Sequence, residues 1–145
     1  MDVYISKGIE LIKDVPGEGL EAAKGCAVTY NARIFLRKGD EVTQDSQSIS
    51  LYGSSLDTRM IDGVELIDHT TTLGKRQPIA GVEKSLYGMR PAGYREVFVG
   101  PHLAYGDKGI KGLIPQNAML RIQLWVHDVQ PPPNNAMQPT RKARG

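Results

Sequence analysis

The residues best placed to act on another molecule gather in one stretch, Phe98 to Leu120, FVGPHLAYGDKGIKGLIPQNAML. Tyr105 stands between Ala104 and Gly106. Gly109 and Gly112 follow, and Leu113-Ile114-Pro115 closes the run before Ala118 and Leu120. An interior glycine costs a helix or strand roughly 0.5–1 kcal/mol relative to Ala, so glycine at this density excludes both. The stretch reads as a long ordered loop that places one aromatic and a few aliphatics at a defined spot. Loops of more than about 12–15 residues inside compact domains are usually functional or disordered, and this one is too apolar for disorder.

Other chemistries lack their residue sets. His69, His102 and His127 have no metal-ligand spacing. The G-x-S-x-G elbow of a serine hydrolase is absent. Gly17-x-Gly19-x-x-Ala22 imitates a dinucleotide fingerprint, but no strand–helix–strand alternation follows and Gly25 interrupts it. Cys26 is the single cysteine, so no internal disulfide forms, and its apolar neighbours make it a small buried hydrophobe. The expectation is a site without metal or cofactor.

At 145 residues the chain suggests one domain, large enough for a core without covalent staples. Its net charge is +2, unevenly spread: residues 1–130 hold 15 Lys/Arg against 16 Asp/Glu, and Arg141, Lys142 and Arg144 supply the rest. The basic balance therefore belongs to the tail and gives no warrant for nucleic-acid binding by the body. No run of 18 apolar residues suits a membrane span. The start, MDVYISKGIE, lacks the apolar core of a secretory signal, so a cytoplasmic location is expected. Residues 131–145, PPPNNAMQPTRKARG, read as a disordered, Pro-rich basic tail.

The elements around the loop follow from periodicity. Val3 to Asp14 suggests one or two short strands broken at Gly8. Cys26 to Leu36 alternates with a period of two: Cys26, Val28, Tyr30, Ala32, Ile34 and Leu36 on one face, Thr29, Asn31 and Arg33 on the other. Arg37 to Asp40 is a hairpin turn, and Glu41-Val42-Thr43 starts the return. Gly63 to Leu73 returns as a strand. From Pro78 to Met89, Ile79, Val82, Leu86 and Met89 form one apolar stripe, which predicts the single helix. Tyr94–Val99 and Ala118–Val129 are further strands. Trp125 falls on the polar face of the last one, where the N-terminal strand is expected to cover it. One short helix among antiparallel strands makes the fold α+β, a twisted antiparallel sheet wrapped around that helix.

AYG, a glycine-rich spacer, IP and A-x-L together resemble the signature loop of the FKBP-type peptidyl-prolyl isomerases. LGKRQPIAGVEKSLYGMRPAG (Leu73 to Gly93) resembles the strand end, helix and turn that precede this loop. ELIKDVPGEG and CAVTYNARIF are similar to the family's first two core strands, and AMLRIQLWVHDV to its last. The resemblance spans most of residues 8–129 and implies an FKBP-like domain over residues 1–130. Residues 44–70 form an enlarged flap, too short for the separate inserted domain of some bacterial members.

The activity it implies is rotation about X–Pro bonds, which needs no nucleophile and no proton transfer. By resemblance, the Tyr105 hydroxyl and the backbone N–H of Ile79 hold substrate carbonyls, while Tyr30, Val42, Val82, Ile114 and Ile122 line the pocket. The implied partners are proline-containing peptides or unfolded segments. Val42 stands for the family's usual Phe, Thr43 for the Asp beside it, Val82 for the Trp floor and Ile122 for an aromatic on the last strand. Each lost aromatic removes about 1–3 kcal/mol of apolar contact, so only weak macrolide binding is expected. The alternative is a binding module on the same scaffold that holds proline-containing or unfolded segments with little catalysis.

Overall fold

The structure, a computed structural model, describes residues 3–133. Most of the expected tail, residues 134–145, lies outside the described residues. Strands β1 (Val3–Ser6), β2 (Ile9–Val15), β3 (Ala27–Leu36), β6 (His69–Thr72), β7 (Tyr94–Val99) and β8 (Leu120–Gln130) form one sheet, in the order β1-β2-β7-β8-β3-β6. Every pairing in it is antiparallel. β3 and β8 are the long central pair and run in register from Ala27↔Gln130 to Leu36↔Leu120, with one irregularity at Thr29/Tyr30.

Alternation explains which face is dry. Val28, Tyr30, Ala32 and Leu36 of β3 and Leu120, Ile122, Leu124 and Val126 of β8 are buried. Helix α2 (Ala80–Leu86) lies on that face and adds Val82 and Leu86. Full burial of one such side chain stabilises by about 1.5–3 kcal/mol. α2 approaches β7 closely because Gly81 carries no side chain: a Cβ there would stand 2.3 Å from Val99 Cγ1. The helix is shorter than its apolar stripe predicts. Ile79 is extended at its N-terminal boundary (ψ 151°), and Tyr87 ends it in the same way (ψ 133°). Arg95 Nη1 donates to the carbonyls of Ser85 and Tyr87, so two orphan acceptors of the last turn are satisfied.

The segment 44–70 departs from expectation. It contains a second helix, α1 (Asp45–Tyr52), and a hairpin of β4 (Thr58–Ile61) and β5 (Val64–Ile67) that forms its own two-stranded sheet. α1 has no apolar stripe, and its Leu51 and Tyr52 face solvent, so periodicity gave no sign of it. The hairpin turns at Asp62-Gly63, both at positive φ, the pairing favoured by a tight two-residue turn. The strand expected over Gly63 to Leu73 is therefore divided at Asp68: its first half pairs with β4, and its second half, β6, pairs with β3. The return expected at Glu41-Val42-Thr43 is reduced to a single bridge, Phe35↔Glu41, and the Val42 N–H bond to Ile34.

Two further expectations are corrected. The alternation of β3 puts Asn31 on the face opposite its apolar residues, yet it is wholly buried, because the insert hairpin covers it. Its Nδ2 donates to Ile67 O (2.7 Å) and Asp68 Oδ1 (2.8 Å). Trp125 is not covered by the N-terminal strand, which lies at the far edge of the sheet. Its ring is half-buried against Tyr94, 5.2 Å between centroids.

Candidate active site

A cavity of about 440 Å3 opens at the α2 end of β3. β3 contributes Tyr30, Ala32 and Ile34. The approach to α2 contributes Pro78 and Ile79, and the helix itself Val82. The glycine-rich loop adds Tyr105, Ile110, Leu113 and Ile114, and the insert closes one wall with Asp45, Ser48, Ile67 and His69. Of the seven residues singled out from the sequence, Tyr105, Ile79, Tyr30, Val42, Val82 and Ile114 all line this cavity. Ile122 does not. It is 0% exposed, paired between Ile34 and Val97 inside the core. Where the resemblance has an aromatic, this shorter side chain is consumed by packing and presents no surface to the cavity.

The loop is held by its own backbone. Gly106 N–H donates to Pro101 O and Gly109 N–H to Tyr105 O, and Ile110 and Ile114 exchange both bonds at 2.8 Å. Gly109 has φ +63°, and a Cβ there would fall 2.2 Å from Ile114 O. Only glycine fits, and the tight turn fixes Tyr105 on one side and Ile114 on the other.

The cavity is two-sided: aliphatic side chains of β3, α2 and the loop form one part of its wall, and polar residues of the insert and β6, among them Asp45, Ser48, His69 and Thr71, form the other. Among the described residues, the hydroxyls of Tyr30 and Tyr105 and the N–H of Ile79 have no protein hydrogen-bond partner. Burial, with the nearby charges of Asp45 and Tyr105, pushes the Tyr30 phenol up to about 12. Burial raises that of Tyr105 as well. Both phenols therefore stay protonated donors at neutral pH.

Asp45 was not foreseen as a site residue. Its side chain is buried at the head of α1, where Oδ2 accepts from the Ile67 N–H (2.8 Å) and Oδ1 lies 3.9 Å from His69 Nε2. Thr43, where the resemblance implies an Asp, accepts from the Ile34 N–H at its Oγ1 (2.7 Å). A carboxylate is thus present in the cavity, two residues later in the chain. An Asp in the first turn of a helix is a favoured arrangement, so the signal was available had α1 been legible. His69 faces Tyr30, with ring centroids 5.5 Å apart. His102 lies outside the cavity, exposed against Gly8 and Gly100. Among the described residues no group of three His, Cys, Asp or Glu is arranged to hold a metal ion.

The site is thus a cavity between an antiparallel sheet, a short helix and a glycine-rich loop. The family model for FKBP-type peptidyl-prolyl cis-trans isomerases matches residues 20–125. The FK506-binding protein of Neisseria meningitidis is 32% identical over 114 residues, 78% of this chain and 89% of that one. FK506-binding protein 1A of Neurospora crassa is 33% identical over 84 residues, 58% of this chain and 68% of that one. Among solved structures, FkpA from Escherichia coli shares the fold with a TM-score of 0.66 at 23% identity, covering 91% of this chain. This chain spans about half of FkpA (53%) and a much smaller share of some longer relatives. The chain belongs to the FKBP-type peptidyl-prolyl cis-trans isomerase family.

Proposed function

We propose that the chain isomerises X–Pro bonds in this cavity by non-covalent stabilisation of the twisted imide. The barrier, roughly 18–20 kcal/mol, comes from amide resonance. A catalyst must bind the twisted form better than either planar one. The twisted imide has lost its resonance and part of its charge separation, so the apolar surfaces of Val42, Val82 and Ile114 favour it. The Tyr105 hydroxyl and the Ile79 N–H donate to the carbonyls flanking the proline, and Asp45 Oδ1 is an acceptor for a substrate N–H. The observation that carries this reading is the convergence of unpartnered donors on one cavity beside the aliphatic Val42, Val82 and Ile114.

The substrates are proline-containing peptides or unfolded segments. A second reading, a binding module with weak turnover, is favoured by the exposed Leu51, Tyr52 and Met60 on the insert beside the cavity and by the aliphatic Val82 at its floor. NMR exchange on a set of X–Pro peptides separates the two. Catalysis speeds cis–trans exchange at sub-stoichiometric protein. Peptide binding with exchange at the uncatalysed rate supports the module. For the macrolides that name the relatives, replacement of an aromatic floor by Val82 and of a Phe by Val42 costs about 1–3 kcal/mol each, roughly one to four decades in affinity. Calorimetry is expected to give micromolar or weaker binding; nanomolar binding would mean that the insert rebuilds the floor.

A further inference from the structure

We propose that the isomerase cavity continues into a cationic groove that holds an acidic segment of the substrate chain, so that acidic residues beside the proline select substrates. A second cavity, about 660 Å3, lies across the glycine-rich loop and shares Ile110, Leu113 and Ile114 with the first. The two therefore adjoin at these three apolar residues, which a peptide with its proline in the first would cross to reach the second. Lys38, Lys108 and Lys111 line the second. Lys38 is paired with Asp40 at 3.3 Å, which offsets its charge. Lys108 and Lys111 are exposed and have no ion pair among the described residues. Asp107, the other charge of this turn, does not line the groove.

The opposite side of the isomerase cavity carries no lysine among its lining residues and one carboxylate, Asp45. Asp68, farther along the insert, is paired with Arg59. An extended substrate therefore meets one carboxylate at the insert and a cationic flank beyond the loop. Charge complementarity orients it with its acidic residues over Lys108 and Lys111. This inference rests on the isomerase reading for the position of the proline, and the test separates the two.

Five peptides share one X–Pro core: a neutral one, two with three Glu residues placed before or after the proline, and the two Lys counterparts. For each, kcat/KM is measured by NMR exchange and Kd by titration of labelled protein, at low and high salt. One Glu peptide should exceed the neutral one by about two- to thirtyfold at low salt, as expected for two exposed ion pairs, and the gain should shrink at high salt. In Lys108→Glu/Lys111→Glu the preference should pass to a Lys peptide, with turnover of the neutral peptide unchanged. A melting curve checks the fold of this surface variant. Equal values for Glu and neutral peptides, or a Glu preference that survives the charge reversal, would overturn the groove. Absence of exchange with the neutral peptide would instead overturn the isomerase reading, while the titrations still report whether Lys108 and Lys111 hold the acidic segment.

Discussion

Asp45 does two things with one carboxylate. Oδ2 satisfies the buried Ile67 N–H, and Oδ1 faces the cavity. Asp45→Asn keeps an acceptor for that N–H and loses the charge. Its stability should stay close to wild type, while kcat/KM falls about two- to tenfold if Oδ1 takes a substrate hydrogen bond worth about 0.5–1.5 kcal/mol. Asp45→Ala leaves the N–H unpaired, which costs about 1–3 kcal/mol in a denaturant titration. Equal stability loss in both variants would contradict the assignment of Oδ2. At this scale the sequence is an uneven guide. Tyr105 is legible because glycines isolate it in a loop, and Tyr30 and Val82 because they fall on the dry faces of a strand and a helix. Ile122 has the same pattern as Tyr30 along its strand, yet it lies inside the core. Periodicity tells face from face and cannot tell a core position from a cavity wall.

The insert is the element that the rest of the chain has to hold. β4–β5 meets the main sheet through polar groups: Arg59 donates to both oxygens of Asp68, and Asn31 ties Asp68 and Ile67 to β3. His127 of β8 bonds Asn31 Oδ1; because Asn31 Nδ2 is already the donor to the insert, Nε2 of His127 must be the donor here. Asn31→Ala leaves buried acceptors without partners and should cost about 1–3 kcal/mol. Amide exchange should then accelerate in β4 and β5 while β3 and β8 stay protected. Uniform loss of protection would show that the insert has no separate attachment. None of this attachment was visible in the chain. Asn31 reads as a solvent-facing residue until a hairpin 36 residues away covers it, and α1 has too few buried positions to leave a period. The central strands and α2 were legible because each buries one continuous face.

For the molecule as a whole, the shifted carboxyls and His127 act in one direction with pH, and the raised phenols of Tyr30, Tyr94 and Tyr105 in the other. Arg59 and Arg33 hydrogen-bond Asp68 and Glu41 and hold those carboxyls below their usual range. A folded pKa below the unfolded one gives stability that is present above the unfolded value, about 3.9–4.3, and lost as pH falls through the folded value. His127 is also lowered, mainly by burial and then by the Arg59 charge. The folded state resists its protonation, so its contribution is present above about pH 6.5 and lost as pH falls below that. The melting temperature should be flat between about pH 7 and 9, decline once below about 6.5 and again below about 4, and fall above about 10, where the raised phenols of Tyr30, Tyr94 and Tyr105 oppose ionisation in the folded state. His127→Gln keeps a donor for Asn31 and should remove only the first decline. A first decline of unchanged size in that variant would exclude His127 as its source.

The site itself is tested most directly at Tyr105, by cis–trans exchange of an X–Pro peptide measured for wild type, Tyr105→Phe and Tyr105→Ala alongside their melting curves. The wild type should accelerate exchange. Tyr105→Phe loses only the hydroxyl's hydrogen bond, about 0.5–1.5 kcal/mol, so kcat/KM should fall about two- to tenfold with stability little changed. Tyr105→Ala also removes the cavity wall and should lose clearly more. An active wild type matched by an equally active Tyr105→Ala would contradict the account.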